Sequence, residues 1–122
     1  MKSALLVDDS RTILISISGV LTKAGYAVQT AASGPEALTK LKAGLKPSVI
    51  ITDLNMPVMD GIELIRLSRA EPGCRFLPIL MLTTESRTDR RAEAKAAGAT
   101  GWLVKPVAPA ELLSVLERVV PG

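Results

Sequence analysis

The chain has 122 residues and a formal net charge of +3, and 48% of its residues are hydrophobic while 22% are charged. This length and balance predict one folded domain, residues 1–122, and exclude an extended disordered protein. The sequence has one cysteine and no histidine, which excludes an internal disulfide, a zinc site of the usual kind and Ser-His-Asp catalysis.

Two kinds of partner are not expected from this composition. The apolar runs are much shorter than the roughly 20 residues that cross a bilayer, and Asp8 and Asp9 come before a signal peptide could be completed. The basic residues are scattered apart from Arg87, Arg90 and Arg91, and aromatic residues make up 2% of the chain, so no platform for stacking bases is visible. We therefore expect a cytoplasmic protein with no membrane partner and no direct contact with nucleic acid.

Five short apolar runs alternate with five segments that have helical periodicity or capping signals. Strands are predicted at 2–7, 27–30, 48–52, 78–82 and 101–104, and the first and third of these have the composition of buried strands. Helices are predicted between them at 10–25, 33–44, 61–69, 87–97 and 109–119. On the first helix, Leu14 and Ile15 fall outside the apolar stripe and are expected to face outward.

The alternation of strands and helices predicts the fold. A βα unit repeated five times implies an α/β protein whose parallel sheet is covered by helices on both faces. Right-handed crossovers and the chain length favour a flavodoxin-like three-layer sandwich with the five strands in the order 2-1-3-4-5. In such sheets ligands bind at the carboxyl ends of the strands, where the strand order reverses.

Four of the five predicted strands end in residues that suit phosphoryl chemistry. Asp8 and Asp9 follow the first strand, Asp53 the third, Thr83 the fourth and Lys105 the fifth. Taken singly, each has an ordinary explanation, since acids cap turns and helix starts while Thr83 and Lys105 are routine near strand ends. Four such placements at one edge of a sheet are much less expected by chance, and together they favour a functional site.

The chemistry of this residue set predicts a metal-assisted site. Converging carboxylates repel one another, and a hard divalent cation such as Mg²⁺, which prefers oxygen ligands, relieves the repulsion. The cation and the Lys105 ammonium would neutralise phosphoryl oxygens, while the Thr83 hydroxyl would donate a hydrogen bond to one of them. The carboxylate of Asp53 could then act as the nucleophile of aspartyl-phosphate chemistry.

Four motifs along the chain are Leu6-Val7-Asp8-Asp9-Ser10, Asp53-Leu54-Asn55-Met56-Pro57-Val58-Met59-Asp60-Gly61, Leu82-Thr83-Thr84-Glu85 and Val104-Lys105-Pro106. With these motifs the sequence resembles, over essentially its whole length, the receiver domains of two-component response regulators, and in particular the single-domain chemotaxis type. The predicted strand order is the known order of chemotaxis receivers, so the two are not independent. The resemblance implies a regulatory domain rather than an enzyme, with only self-catalysed phosphotransfer and slow loss of the phosphoryl group.

The resemblance also implies roles for the residues of the acidic site. Asp53 would accept a phosphoryl group from a phosphohistidine, and Lys105 would pair with that group. Mg²⁺, for which Mn²⁺ can substitute, would be held by Asp8, Asp9, Asp53 and the backbone carbonyl of Asn55.

Other motif residues would form the switch and the frame of the site. By the same resemblance, Thr83 turns to hydrogen-bond the phosphoryl group and Trp102 is the switch aromatic. Pro57 and Gly61 would shape the loop after Asp53, and a cis peptide bond is expected before Pro106. The phosphoryl contacts would favour one arrangement of the fourth-strand loop, fourth helix and Trp102 over another.

Three residues are expected to tune the lifetime of the aspartyl phosphate. Asn55 and Glu85 match the chemotaxis type, which implies a short-lived signal. Thr84 departs from the usual Ala, Gly or Ser, and its bulk could narrow access to the phosphoryl group. A separate hypothesis is that Leu14 and Ile15 contact a partner, because they adjoin the surface on which receivers dock kinase helices.

The expected partners follow from the resemblance. They are a histidine kinase or a histidine phosphotransfer protein as donor, and a downstream protein target that contacts the face made by the fourth helix, fifth strand and fifth helix. The chain is expected to be a monomer or weak dimer. The sequence leaves open whether the pathway is chemotaxis or a phosphorelay, and whether the chain is a stand-alone regulator or part of a longer one.

Two alternatives remain at this point. A Mg²⁺-dependent phosphatase of the haloacid dehalogenase type uses similar residues, but it needs a second Asp two residues after the nucleophile, where this chain has Asn55. A degenerate receiver acting only as an interaction module would not need the complete set of acids, Thr83 and Lys105.

Overall fold

The computed structural model describes residues 2–121, so the predicted domain limits at Met1 and Gly122 lie outside the described residues. The strands are β1 Ser3–Val7, β2 Ala27–Ala31, β3 Val49–Thr52, β4 Ile79–Thr83 and β5 Gly101–Val104. The helices are α1 Arg11–Lys23, α2 Gly34–Lys42, α3 Gly61–Arg69, α4 Thr88–Ala97 and α5 Pro109–Val119. All ten elements lie where the sequence predicts them, with ends shifted by one or two residues at most.

The strands form one parallel sheet in the order β2-β1-β3-β4-β5, which confirms the predicted α/β fold. The register pairs Val7 of β1 with Thr52 of β3 and Thr83 of β4 with Val104 of β5. All strands therefore end on one side, which we call the carboxyl edge, and begin on the other, the amino edge. Each connecting helix starts near the carboxyl edge and ends near the amino edge.

Two apolar layers cover the two faces of the sheet. One layer packs Leu5, Ile50 and Met81 against α2, α3 and α4, and the other packs alternate strand residues against α1 and α5. Full burial of one large aliphatic side chain contributes about 1.5–3 kcal/mol, so these layers hold the strand ends in fixed positions. Within residues 2–121, no helix has the length and apolar character needed to cross a membrane.

One expectation about the first helix is wrong. Leu14 is partly buried and packs against the layer formed with α1 and α5, rather than facing outward. It precedes Ile17 by three residues and Leu21 by seven, and these are the buried residues of α1, so it shares their helix face. Ile15 does face outward and is 67% exposed.

Candidate functional site

Three carboxylates and one ammonium meet at the carboxyl edge. One carboxylate oxygen from each of Asp8, Asp9 and Asp53 lies within 4.8 Å of the others. The Lys105 Nζ is 2.7 Å from Asp8 Oδ2 and 3.6 Å from Asp53 Oδ2. The adjacency of β1 and β3 explains this, because pairing Val7 with Thr52 places the next residues, Asp8 and Asp53, side by side.

Backbone hydrogen bonds orient the two buried acids. Asp53 is 8% exposed, and its Oδ1 accepts a hydrogen bond from the N–H of Leu54 at 2.8 Å. Asp8 is 2% exposed, and its Oδ1 accepts from the N–H of Ser10 at 2.8 Å. In both residues one oxygen is held by the chain and the other, Oδ2, faces Lys105. Asp9 is exposed, so its carboxylate lies on the solvent side of the group.

This donor set fits a hard divalent cation. Asp8, Asp9 and Asp53 offer only carboxylate oxygens, and together with Lys105 they carry a formal charge of about −2, which a divalent cation would balance. Buried carboxylates this close together are unfavourable without such a charge. Asn55 lies exposed, two residues beyond Asp53, at the start of the loop that leads to α3.

The residues after β4 are linked to β5 by hydrogen bonds. Thr83 is fully buried, and its hydroxyl oxygen accepts from the N–H of Glu85 at 3.3 Å. The indole N–H of Trp102 donates to the carbonyl of Glu85 at 3.1 Å. Thr83 also accepts, through its carbonyl, from the N–H of Lys105 at 2.8 Å. Glu85 thus connects Thr83 to Trp102, while Thr84 points into solvent.

The loop between β3 and α3 is folded tightly against Asp53. The N–H of Gly61 donates to the carbonyl of Leu54 at 2.8 Å, and a Cβ at Gly61 would lie 2.2 Å from the carbonyl oxygen of Asp53. Only glycine allows this approach. Pro57 is exposed in the same loop, and Val58 beside it is 97% exposed with a φ of 73°. The peptide bond between Lys105 and Pro106 is cis, as the resemblance implied.

One ion pair near the site was not foreseen from the sequence. Asp60 caps α3 by accepting from the N–H of Glu63 at 2.8 Å, and its other oxygen lies 3.1 Å from Arg90 of α4. Thirty residues separate Asp60 from Arg90. No local pattern joins them, and the contact follows only from the packing of α3 beside α4.

An open cavity of about 470 Å³ lies between α4 and β5. Trp102 forms one wall, and the guanidinium of Arg91 lies 5.9 Å from the centre of its ring. This cavity belongs to the face for which a downstream partner is expected, and Trp102 connects it to Glu85 and the acidic site.

Comparisons with known proteins agree with these features. The family described as "Response regulator receiver domain" matches residues 4–117. The chain is 40% identical over 117 residues to chemotaxis protein CheY1 of Helicobacter pylori, covering 95% of this chain and 94% of that protein. It is 37% identical over 116 residues to chemotaxis protein CheY-3 of Vibrio cholerae, covering 94% of this chain and 88% of that protein.

Solved structures show the same similarity. Chemotaxis protein CheY4 of Vibrio cholerae superposes with a TM-score of 0.94 at 50% identity, covering 98% of this chain and 99% of that one. The receiver domain of sensor histidine kinase PA1611 of Pseudomonas aeruginosa, solved with a magnesium ion coordinated in its active site cleft, has a TM-score of 0.89 at 31% identity, covering 97% of this chain and 96% of that one. The resemblance drawn from the motifs is thus confirmed. The chain belongs to the response regulator receiver domain family, and it is a receiver of the CheY type, from a regulatory family of two-component signalling that works with histidine kinases.

Proposed function

We propose that this chain is a phosphorylation-activated switch, in which Asp53 accepts a phosphoryl group from a phosphohistidine of a histidine kinase or histidine phosphotransfer protein. The observation that carries the proposal is the position of Asp53 Oδ2, which lies beside Lys105 and within the group of three carboxylates. In the transfer, an O–P bond forms at Asp53 as the N–P bond of the phosphohistidine breaks, and the imidazole leaves with the electron pair of that bond.

The residues around Asp53 suit both the attacking carboxylate and the negatively charged phosphoryl group. Its Oδ1 is held by the N–H of Leu54, so Oδ2 is the oxygen free to attack. Lys105 can pair with the transferred phosphoryl group, because its ammonium already lies 3.6 Å from Asp53 Oδ2. Mg²⁺, or Mn²⁺ in its place, would be held by Asp8, Asp9, Asp53 and the carbonyl of Asn55, and it would neutralise phosphoryl oxygens.

The response would pass from Thr83 to Trp102 through Glu85. When the Thr83 hydroxyl turns to the phosphoryl group, it gives up the hydrogen bond from Glu85, whose carbonyl holds the Trp102 indole. The equilibrium between two arrangements of this segment then shifts, and with it the α4-β5-α5 face. A downstream protein target that prefers one arrangement reads the signal there.

Three residues at the rim of the acidic site would tune the lifetime of the phosphoryl group on Asp53. Asn55 and Thr84 are exposed and Glu85 is partly buried, so all three can affect how water reaches Asp53. Asn55 and Glu85 would allow rapid hydrolysis, and the methyl group of Thr84 would slow it. Replacing Thr84 with Ala should then shorten the lifetime, measured as the decay of the phosphorylated mass.

Ile15 is the residue of α1 that we propose contacts the phosphodonor. Its side chain is 67% exposed, whereas Leu14 is partly buried and packs against the core. Ile15→Glu should slow phosphotransfer from a histidine phosphotransfer domain while leaving the reaction with acetyl phosphate unchanged. Thr22→Glu, at another exposed position of α1, is the matched control. Equal phosphotransfer rates for the two variants would show that Ile15 does not contact the phosphodonor.

The central test uses the intact chain with Mg²⁺ and acetyl phosphate. The protein should gain the mass of one phosphoryl group, and the fluorescence of Trp102, the only tryptophan, should change. Asp53→Ala should lose both responses, and Asp89→Ala, which removes an exposed acid of α4, should keep them. A wild-type chain that gains no mass would refute the acceptor assignment and favour a degenerate receiver. Repeated turnover of a phosphate ester would favour the phosphatase.

Three further expectations belong to the same proposal. We place the protein in the cytoplasm, treat residues 1–122 as one domain, and expect a monomer or weak dimer. Light scattering with and without acetyl phosphate would test the oligomeric state.

A further inference from the structure

The charges of the chain are separated between the two edges of the sheet. No strand contains a charged residue, so every charged side chain lies in a helix or loop toward one edge. With each helix divided at its midpoint, the amino-edge half holds ten basic and three acidic residues, a formal charge of +7. The carboxyl-edge half holds five basic and nine acidic residues, a formal charge of −4. The modest net charge therefore hides a strong electrostatic dipole along the strands.

The basic residues of the amino edge are almost all without a carboxylate partner. We call them the amino-edge cations, and they are Lys2, Lys23, Lys40, Lys42, Lys46, Arg66, Arg69, Arg75, Lys95 and Arg118. Among the ion pairs of residues 2–121, Arg66 is the only one of the ten to appear, paired with Glu63 of its own helix. On the carboxyl edge, by contrast, three of the five basic residues are ion-paired.

Helix dipoles explain only part of this arrangement. Basic residues in the last turn of a helix are favoured there, and every helix of this chain has at least one. Lys2, Lys46 and Arg75 lie outside the helices, where that effect is weak. The excess of positive charge on the amino edge thus exceeds what helix stabilisation requires.

An exposed aromatic side chain stands among these cations. Phe76, in the loop between α3 and β4, is 88% exposed, and the guanidinium of Arg75 lies 5.5 Å from the centre of its ring. The loop is held firmly, because Arg69 donates hydrogen bonds to the carbonyls of Cys74 and Leu77. Phe76 is therefore fixed in a position where it faces water and gains nothing from burial in the monomer.

A cleft that is positive on balance lies beside this loop. It has a volume of about 270 Å³ and lies between the α2–β3 and α3–β4 loops. Lys42 and Lys46 line it together with Glu71, so its charged lining residues carry a formal charge of +1.

We propose that the amino edge binds peripherally to an anionic phospholipid surface. Phe76 would enter the boundary between headgroups and acyl chains, and the amino-edge cations other than Arg69, whose guanidinium is held by loop carbonyls, would contact lipid phosphates. These cations surround the ends of five helices rather than lining one groove, so a flat polyanion can contact many of them at once. The negative carboxyl edge is repelled by the same surface, and this repulsion points Asp53 away from the lipid and toward its partners.

The proposal departs from the expectation that the chain has no membrane partner. That expectation rested on the lack of a membrane-length apolar segment, and a peripheral contact needs none. A nucleic acid is a poorer fit, because Phe76 is the only aromatic side chain on this edge that is fully available for stacking.

Flotation with lipid vesicles tests the proposal on the intact chain. The protein should float with vesicles of phosphatidylethanolamine and phosphatidylglycerol, but not with phosphatidylcholine vesicles. Binding should largely disappear at roughly 1 M salt, where the Debye length falls to about 3 Å. Each contacting cation contributes about fivefold to the partition coefficient, so Lys42→Gln, Lys46→Gln and Arg75→Gln combined should weaken binding roughly 100-fold. Phe76→Ser should weaken it about tenfold.

The matched control removes the same charge from the opposite edge. Arg11→Gln, Arg87→Gln and Arg91→Gln combined lower the net charge equally but should leave vesicle binding within about threefold of wild type. Circular dichroism melting would confirm that both triple variants are folded. Equal losses in the two variants would overturn the proposal, since attraction would then follow net charge alone. Binding to polyglutamate without binding to anionic vesicles would also overturn it, in favour of an acidic protein.

Discussion

Gly61 is the residue whose side-chain space the structure defines most sharply. A Cβ at this position would lie 2.2 Å from the carbonyl oxygen of Asp53 and 3.0 Å from the Cα of Leu54. Both are backbone atoms, which cannot rotate away as a flexible side chain can. Gly61→Ala should therefore push the β3–α3 loop away from the residue that we propose is phosphorylated.

The size of the effect follows from that overlap. An unstrained C···O contact is about 3.3 Å or longer, so the loop must move by about 1 Å. Overpacking of this kind costs about 1–3 kcal/mol, and losing the hydrogen bond from Gly61 to Leu54 adds about 1 kcal/mol. The expected loss of about 2–4 kcal/mol would lower the melting temperature by roughly 6–15 °C. A 1 Å displacement of the loop relative to Asp53 should also slow phosphorylation on the order of 100-fold.

The matched control is Gly19→Ala in the middle of α1. Among residues 2–121, nothing beyond the chain neighbours of Gly19 and the adjacent backbone of α1 lies within 4 Å of a Cβ at this position, and alanine is a better helix former than glycine by about 0.5–1 kcal/mol. Melting curves and phosphorylation by acetyl phosphate should show Gly61→Ala impaired and Gly19→Ala equal to or more stable than wild type. If Gly61→Ala melted with wild type and was phosphorylated at the same rate, the reasoning would be refuted.

Four further predictions concern stability and reactivity. Ser68 is buried and its hydroxyl has no hydrogen-bond partner among residues 2–121, so Ser68→Ala should raise the free energy of unfolding by up to about 1 kcal/mol in urea titrations. Arg69→Met removes the donor to several loop carbonyls and should cost about 3 kcal/mol by the same measurement, whereas a change below 1 kcal/mol would show that the clamp is dispensable. Burial raises the pKa of the Cys74 thiol, so a disulfide reagent should react slowly with it until urea unfolds the chain. The neutral buried thiol also contributes stability that falls as the pH rises above the ordinary pKa of a thiol. Mg²⁺ at ten times its dissociation constant should stabilise the wild type by about 1.4 kcal/mol and Asp9→Ala by much less.

The elements and the residues of the acidic site could be predicted from the sequence because both depend on local patterns. β5 and α5 occupy the predicted residues 101–104 and 109–119. A short apolar run and an apolar helix stripe are patterns among residues close together in the chain, so the sequence shows them directly. Asp8 and Asp53 were predicted to meet because any residue that follows a strand of a parallel sheet lies at the same edge. The wrong prediction for Leu14 shows the limit of this reasoning, because the layer that a helix packs against decides which of its faces is buried.

The tertiary structure alone decided the contacts between residues distant in the chain. Asp60 meets Arg90, and Trp102 meets the carbonyl of Glu85, because α3 packs beside α4 and β5 pairs with β4. The amino-edge cations are the clearest case. They are scattered along the sequence, and they share one edge because every helix of a parallel βα fold ends, and every strand begins, on the same side of the sheet. Local sequence thus determined which chemical groups the chain carries at its strand ends, whereas the distances between those groups and the separation of charge arose only from the packing of the sheet.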